Sequence, residues 1–277
     1  MTRLHGTLGL ASALLAASCL GAGGADDGRI LVKPVFLIAA DAAEPPPQAS
    51  PLLTRHLEWA QARYRELLPG HVTFELAPGP PLRLRTTRKL AEYTGSHDGG
   101  AEAAVQDLLQ HDGVDRFTCP FVYVVLFAAT GDWPGGGARP LNGGLDTGGG
   151  IVVMSADALT SAPNFQSTLQ HELGHAFGLP HVDVYGYDMA SNPSFMSYNP
   201  AHHTDGLNPS ATPGRLIPED LRALALNQRV FPGLAFDPAR DVPPGYSLAP
   251  IVPLGPMAIA GQREFTGPLV PAPPPAR

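Results

Sequence analysis

The stretch His171-Glu172-Leu173-Gly174-His175-Ala176-Phe177-Gly178-Leu179-Pro180-His181 decides how this chain is read. Residues four apart on an α-helix lie one above the other on the same face, so His171 and His175 aim their imidazoles at one point. Neutral imidazole nitrogens bind zinc at about 2.0–2.1 Å. Glu172 stands one step round the helix, within reach of a water at that point without becoming a ligand. Two histidines leave a tetrahedral site incomplete. At Gly178 the helix must end, since a residue without Cβ enters a left-handed turn at low cost, and Pro180 bars its continuation. His181 then returns as the third ligand. Three imidazoles and one water form an open zinc site of the catalytic kind, whereas structural sites are usually closed by four protein ligands. Zinc lowers the pKa of such a water toward neutrality, and a carboxylate beside it serves as general base.

Outward from this stretch, 165–177 is the expected helix, with Pro163 at its start. Downstream stands Ser194-Phe195-Met196-Ser197-Tyr198. Together the two segments resemble the metzincin clan of zinc metalloproteases: 171–181 is similar to its extended zinc motif, and 194–198 to its methionine turn. The resemblance implies an α/β fold, a mixed twisted sheet with flanking helices. It sets the active-site helix and the methionine turn in an irregular C-terminal subdomain. It implies Zn2+ on His171, His175 and His181, and Glu172 as general base. Met196 becomes an apolar floor beneath the metal, a packing role. Tyr198 resembles the tyrosine that in astacins and serralysins sits on the zinc and swings off to stabilise the oxyanion; a half-buried aromatic is the alternative for it.

The activity so implied is a zinc endopeptidase acting on a protein or peptide substrate that adds to an edge strand, expected near 141–146. The alternatives are a cell-surface module that keeps zinc without catalysis, and a zinc hydrolase of a non-peptide bond. Leu179-Pro180 and the segment opening Ile217-Pro218-Glu219-Asp220-Leu221 are similar to matrixins, but no segment resembles their inhibitory cysteine pro-peptide.

Upstream, 29–39 is an aliphatic run expected as a strand, with Pro34 arguing for an edge position or an irregularity. A helix follows over 51–68, then strands over 71–76 and 82–90 and a helix over 100–111. The run 121–128 is the most apolar segment, expected at the centre of the sheet. A Gly-rich region, 131–150, precedes a short strand at 151–154. The last expected helix begins at Pro218 and reaches about Arg229.

The chain has 277 residues, 44% hydrophobic and 16% charged, which is globular composition. A net charge of −7 without a Lys/Arg run excludes a basic face for nucleic acid. Residues 1–25, with an apolar stretch over 8–20 and small residues at Ala22, Gly24 and Ala25, are expected to be a signal peptide of an exported protein, whether secreted, periplasmic or attached to the cell envelope. Leu15-Ala16-Ala17-Ser18-Cys19 resembles a lipoprotein processing site, and lipidation of Cys19 would tether the chain to a membrane. The catalytic domain is assigned to 26–232 and a Pro-rich appendage to 233–277. Cys119, the second of two cysteines, is read as a small buried hydrophobe. Weaker candidates are Asp183, Asp188 or Asn192 as a partner orienting His181, His202-His203 as a second metal site, and Asp132 and Asp146 as ligands for Ca2+.

Overall fold

The structure, a computed structural model, describes residues 28–94, 97–127, 136–141, 149–161, 165–199, 214–252 and 254. The expected signal peptide, Cys19, Asp132, Asp146 and His202-His203 lie outside them. In chain order the elements are β1 (Leu31–Ile38), α1 (Ala49–Leu67), β2 (Glu75–Leu76), β3 (Leu82–Arg85), α2 (Ala91–Thr94), α3 (His97–Asp112), β4 (Phe121–Phe127), β5 (Gly136–Pro140), β6 (Gly150–Ser155), α4 (Ala158–Ser161), α5 (Phe165–Ala176), α6 (Pro218–Leu226) and α7 (Pro238–Asp241). The fold is α/β, a six-stranded twisted mixed sheet flanked by helices, consistent with a metzincin-like fold. Among the described residues, no helix is long and apolar enough to cross a membrane.

The sheet order is β2-β1-β4-β6-β5, with β3 also on β1. All pairings are parallel except β5 on β6. Parallel strands buried on both faces are apolar throughout, and side chains of alternating parity divide between two cores. Val32, Phe36, Ile38, Val122, Val124, Leu126, Val152 and Met154 pack with α1 and α5. Val35, Leu37, Tyr123, Val125, Phe127, Ile151 and Val153 pack with Ala103, Ala104, Val105 and Leu108 of α3. The expected central strand is indeed β4.

β1 is not an edge strand, although it carries Pro34. Val32 accepts a hydrogen bond from Ala77 N and Ile38 one from Thr86 N, so the even residues of β1 present their backbone groups to β2 and β3. Pairing with β2 covers Leu31 and Val32, and pairing with β3 resumes at Val35. Pro34 therefore falls where the neighbouring strand changes, and the N–H it lacks has no ladder partner to lose.

The expected substrate edge near 141–146 falls, beyond Leu141, outside the described residues, while β5, Gly136–Pro140, lies at one end of the strand order. Its composition is poor for a strand, but antiparallel pairing with the fully buried β6 supplies the ladder. The expected appendage, 233–277, is attached to the core over its described part: Leu234 is buried, and Ala249, Ile251 and Val252 pack against the α1–α5 core.

Candidate metal centre

α5 is buried almost all round, which a helix tolerates only when packed on more than one side. On one flank lies α1, whose Leu53, Leu57, Ala60 and Tyr64 are fully buried. The Tyr64 ring sits among Phe74, Phe177, Phe195 and Phe231, at centroid distances of 5.5, 5.5, 5.7 and 6.0 Å. Its hydroxyl donates to Gln170 O at 3.2 Å, one residue before His171. This aromatic cluster fixes α5 relative to the segment 194–198.

The helix ends as Gly178 implied. Leu179 N donates to Gly174 O and Gly178 N to His175 O, both at 2.9 Å, the paired bonds of a Schellman turn. Gly178 has φ of 101°, where an L side chain is strained. The chain returns through His181 into a one-turn 3-10 helix, Val182–Tyr185. Val182 N then donates to Met196 O at 3.3 Å, joining the returning segment to the methionine turn.

The three histidines meet. Their Nε2 atoms form a triangle with edges of 3.1 Å (His171–His181), 3.0 Å (His171–His175) and 3.0 Å (His175–His181). Among the described residues no other His, Cys, Asp or Glu belongs to this cluster. His171 Nδ1 lies 2.7 Å from Phe195 O, and His175 Nδ1 lies 2.7 Å from Leu179 O. A carbonyl only accepts, so both Nδ1 atoms carry the proton, and in a neutral imidazole Nε2 is then a bare lone pair. Two such lone pairs 3.0 Å apart repel, and a shared cation removes the repulsion. The donor set thus fits a divalent ion of zinc's size and ligand preference.

The electrostatics agree. Burial holds His175 well below the usual imidazole range, and the neighbouring charges of His171 and His181 add to the effect. Burial also lowers His181, although Asp183 opposes it. Neutral imidazole is the form that ligates. Glu172 is 7% exposed, and loss of hydration pushes its carboxyl up to about 7. Tyr198 Oη lies 3.0 Å from His181 Nε2, and its ring stacks on His171 at 5.7 Å between centroids while standing 58% exposed. Tyr198 is therefore on the rim, not in the core.

Met196 is fully buried, and a Cβ on Gly174 would stand 2.4 Å from its sulfur. No sequence pattern marks Gly174; its role shows only in space, where a helix facing the methionine floor has no room for a side chain. The turn itself is tied down by Ser194, whose Oγ accepts from Met196 N at 3.0 Å and donates to Asp220 Oδ2 at 3.2 Å. Asp220 is fully buried in the first turn of α6, and burial pushes its carboxyl up to about 7.

Of the three candidates for an orienting partner, two are otherwise engaged. Asp188 accepts from Ala190 N, Ser191 N and Ser191 Oγ within its own turn, and Asn192 Oδ1 accepts from Ser194 N. Asp183 is exposed and acts on His181 through space. Backbone carbonyls, not carboxylates, orient His171 and His175. Cys119 is buried, with its sulfur 3.6 Å from Phe121 O and its thiol pushed up by burial, an apolar packing position.

No family model matches the chain, and no curated protein matches it. Solved structures do. Wild-type OgpA from Akkermansia muciniphila matches in two crystal forms, each at 16% identity and a TM-score of 0.48, covering 74% and 73% of this chain and 63% and 61% of that one. Catalytically inactive OgpA in complex with an O-glycopeptide substrate, glycodrosocin, matches at 16% identity and a TM-score of 0.49, over 74% of this chain and 62% of that one. This chain thus spans about three-fifths of the length of those structures. Its chemistry has to be read from its own site.

Proposed function

We propose that this chain is a zinc-dependent endopeptidase, with His171, His175 and His181 holding the metal. One observation carries the reading: three Nε2 atoms lie within 3.1 Å of one another, and the Nδ1–H groups of two of the rings donate to backbone carbonyls, which leaves their Nε2 lone pairs bare; a buried Glu172 follows His171 on the same helix. Bound there, zinc would supply Lewis acidity and bring the pKa of a water toward neutrality.

The protein's own groups account for the rest. Glu172 takes a proton from the attacking water as its oxygen adds to the scissile carbonyl, then returns that proton to the leaving amine as the C–N bond breaks. A desolvated carboxyl with a pKa about 7 suits both transfers, although a nearby dication would draw it lower. Tyr198 Oη, poised 3.0 Å from His181 Nε2 on the exposed rim, donates a hydrogen bond to the developing oxyanion. β5, at the antiparallel end of the strand order, is the strand to which an extended peptide would add. A purely structural zinc site has no use for a buried general base, which weighs against a non-catalytic module.

Cleavage of casein or a peptide library decides the matter. The reading requires hydrolysis that a chelator abolishes and added zinc restores; hydrolysis indifferent to chelation sinks it.

A further inference from the structure

The described part of the C-terminal segment does not trail away from the domain. It crosses back over α6 and reaches both ends of the loop that carries His181. Glu219, at the start of α6, is fully buried, and each of its carboxylate oxygens is spoken for by this segment: Ala249 N donates to Oε1 at 2.9 Å and Tyr246 Oη to Oε2 at 2.7 Å. Arg222, one turn along, donates to Ala249 O. A fully buried carboxylate is costly unless its lone pairs are satisfied, so Glu219 and the segment hold each other in place.

From that anchor the segment makes two contacts to the metal-site loop. The Tyr246 hydroxyl is hydrogen-bonded to that of Tyr187, which follows the 3-10 turn after His181. Leu254 N reaches Gly178 O at 3.5 Å, at the bend where α5 ends. Ile251 and Val252 lie against the core that includes Phe177, Leu179, Val182 and Tyr185. Apart from the one-turn 3-10 helix Val182–Tyr185, the loop 178–187 is irregular, and two glycines at positive φ, Gly178 and Gly186, bound its critical part. His181 caps that short turn, its carbonyl accepting from Val184 N at 3.3 Å, and is not built into a long helix as His171 and His175 are in α5.

We infer that residues 243–252, with Leu254, form a strap that positions His181, with Tyr246, locked between Glu219 and Tyr187, as its positioning residue. This rests on the zinc reading above. Metal affinity falls about 10–100-fold when a group bonded directly to a ligand is lost. Tyr246 acts at greater remove, so Tyr246→Phe is expected to weaken zinc binding about three- to tenfold.

The test uses the full chain and two readouts: zinc affinity by competition with a chromophoric chelator, and the visible absorption of the cobalt-substituted protein, which reports ligand geometry. Tyr246→Phe keeps the ring and removes both hydrogen bonds; Glu219→Gln serves if that variant does not fold. Weaker zinc binding with an altered cobalt spectrum supports the strap. A folded variant with a lower thermal midpoint but wild-type zinc affinity and cobalt spectrum overturns it, because the segment then only adds stability. Wild-type protein that takes up neither ion overturns the metal reading and the strap together.

Discussion

Gly174 offers the sharpest test of how the floor of the site is built. On an exposed helix, Gly→Ala is stabilising by about 1 kcal/mol. Here the new Cβ would meet Met196 Sδ at 2.4 Å, and Met196 Cε and Phe195 Cε2 at 3.2 Å. Ordinary contact is about 3.5–4.0 Å, so the sulfur must retreat by roughly 1 Å or more. Met196 is fully buried, so it retreats only by displacing neighbours. Overpacking of this kind costs about 2–3 kcal/mol, and the helix preference returns about 1, leaving Gly174→Ala destabilised by about 1–2 kcal/mol. For a domain of this size the thermal midpoint should fall by about 2–8 °C. Because Phe195 O holds His171, zinc affinity should fall as well. The assay is a double-mutant cycle, read by urea unfolding. In a Met196→Ala background the overlap with the sulfur and Cε disappears, only the milder 3.2 Å contact to Phe195 Cε2 remains, and Gly174→Ala should become neutral or stabilising, a coupling of about 2–3 kcal/mol. Equal effects of Gly174→Ala in the two backgrounds would refute the packing argument.

Glu172→Gln should retain zinc while losing about 10²–10⁴-fold in kcat, and a variant with wild-type turnover would remove Glu172 as the base. Tyr198→Phe should cost about 10–10²-fold in kcat with little change in KM, since the hydroxyl is assigned to charge that develops only in the transition state; a loss confined to KM would contradict that role. Asp220 supplies a pH dependence. Its folded pKa of about 7 exceeds the ordinary carboxyl value, so between about pH 4 and 7 the folded state binds more protons than the unfolded one, and stability falls as pH rises. Metal-free wild-type protein should lose stability over that range relative to Asp220→Asn, by a few kcal/mol at most, and parallel unfolding curves in the two proteins would disprove it.

The site was more legible than its setting. His171 and His175 obey helical spacing, and Gly178 with Pro180 announces a bend, so local rules alone bring two imidazoles together and predict the third. Gly174 was silent because its constraint comes from Met196, twenty-two positions away, and no local pattern encodes that contact. Asp183, Asp188 and Asn192 stand in the sequence as partners for His181, yet Asp188 and Asn192 bond within their own turn; the orienting groups that are seen, on His171 and His175, are backbone carbonyls, and every residue has one. Pro34 pointed to an edge or an irregularity; the irregularity is real, yet it lies in the change from β2 to β3 beside an internal strand. β5 was hidden in Gly-rich sequence because its strand character comes from pairing with β6. The contacts of the segment after 232 were equally hidden, because the buried carboxylate that Tyr246 and Ala249 bond sits on another element.

X-ray absorption at the zinc edge, on full-length protein reconstituted with one equivalent of zinc, tests the central claim most directly. Three imidazole nitrogens and one oxygen donor at about 2.0–2.1 Å, with His175→Ala losing the metal, is the predicted result. A protein that retains no zinc, or a shell containing sulfur or fewer than three imidazoles, would contradict the account.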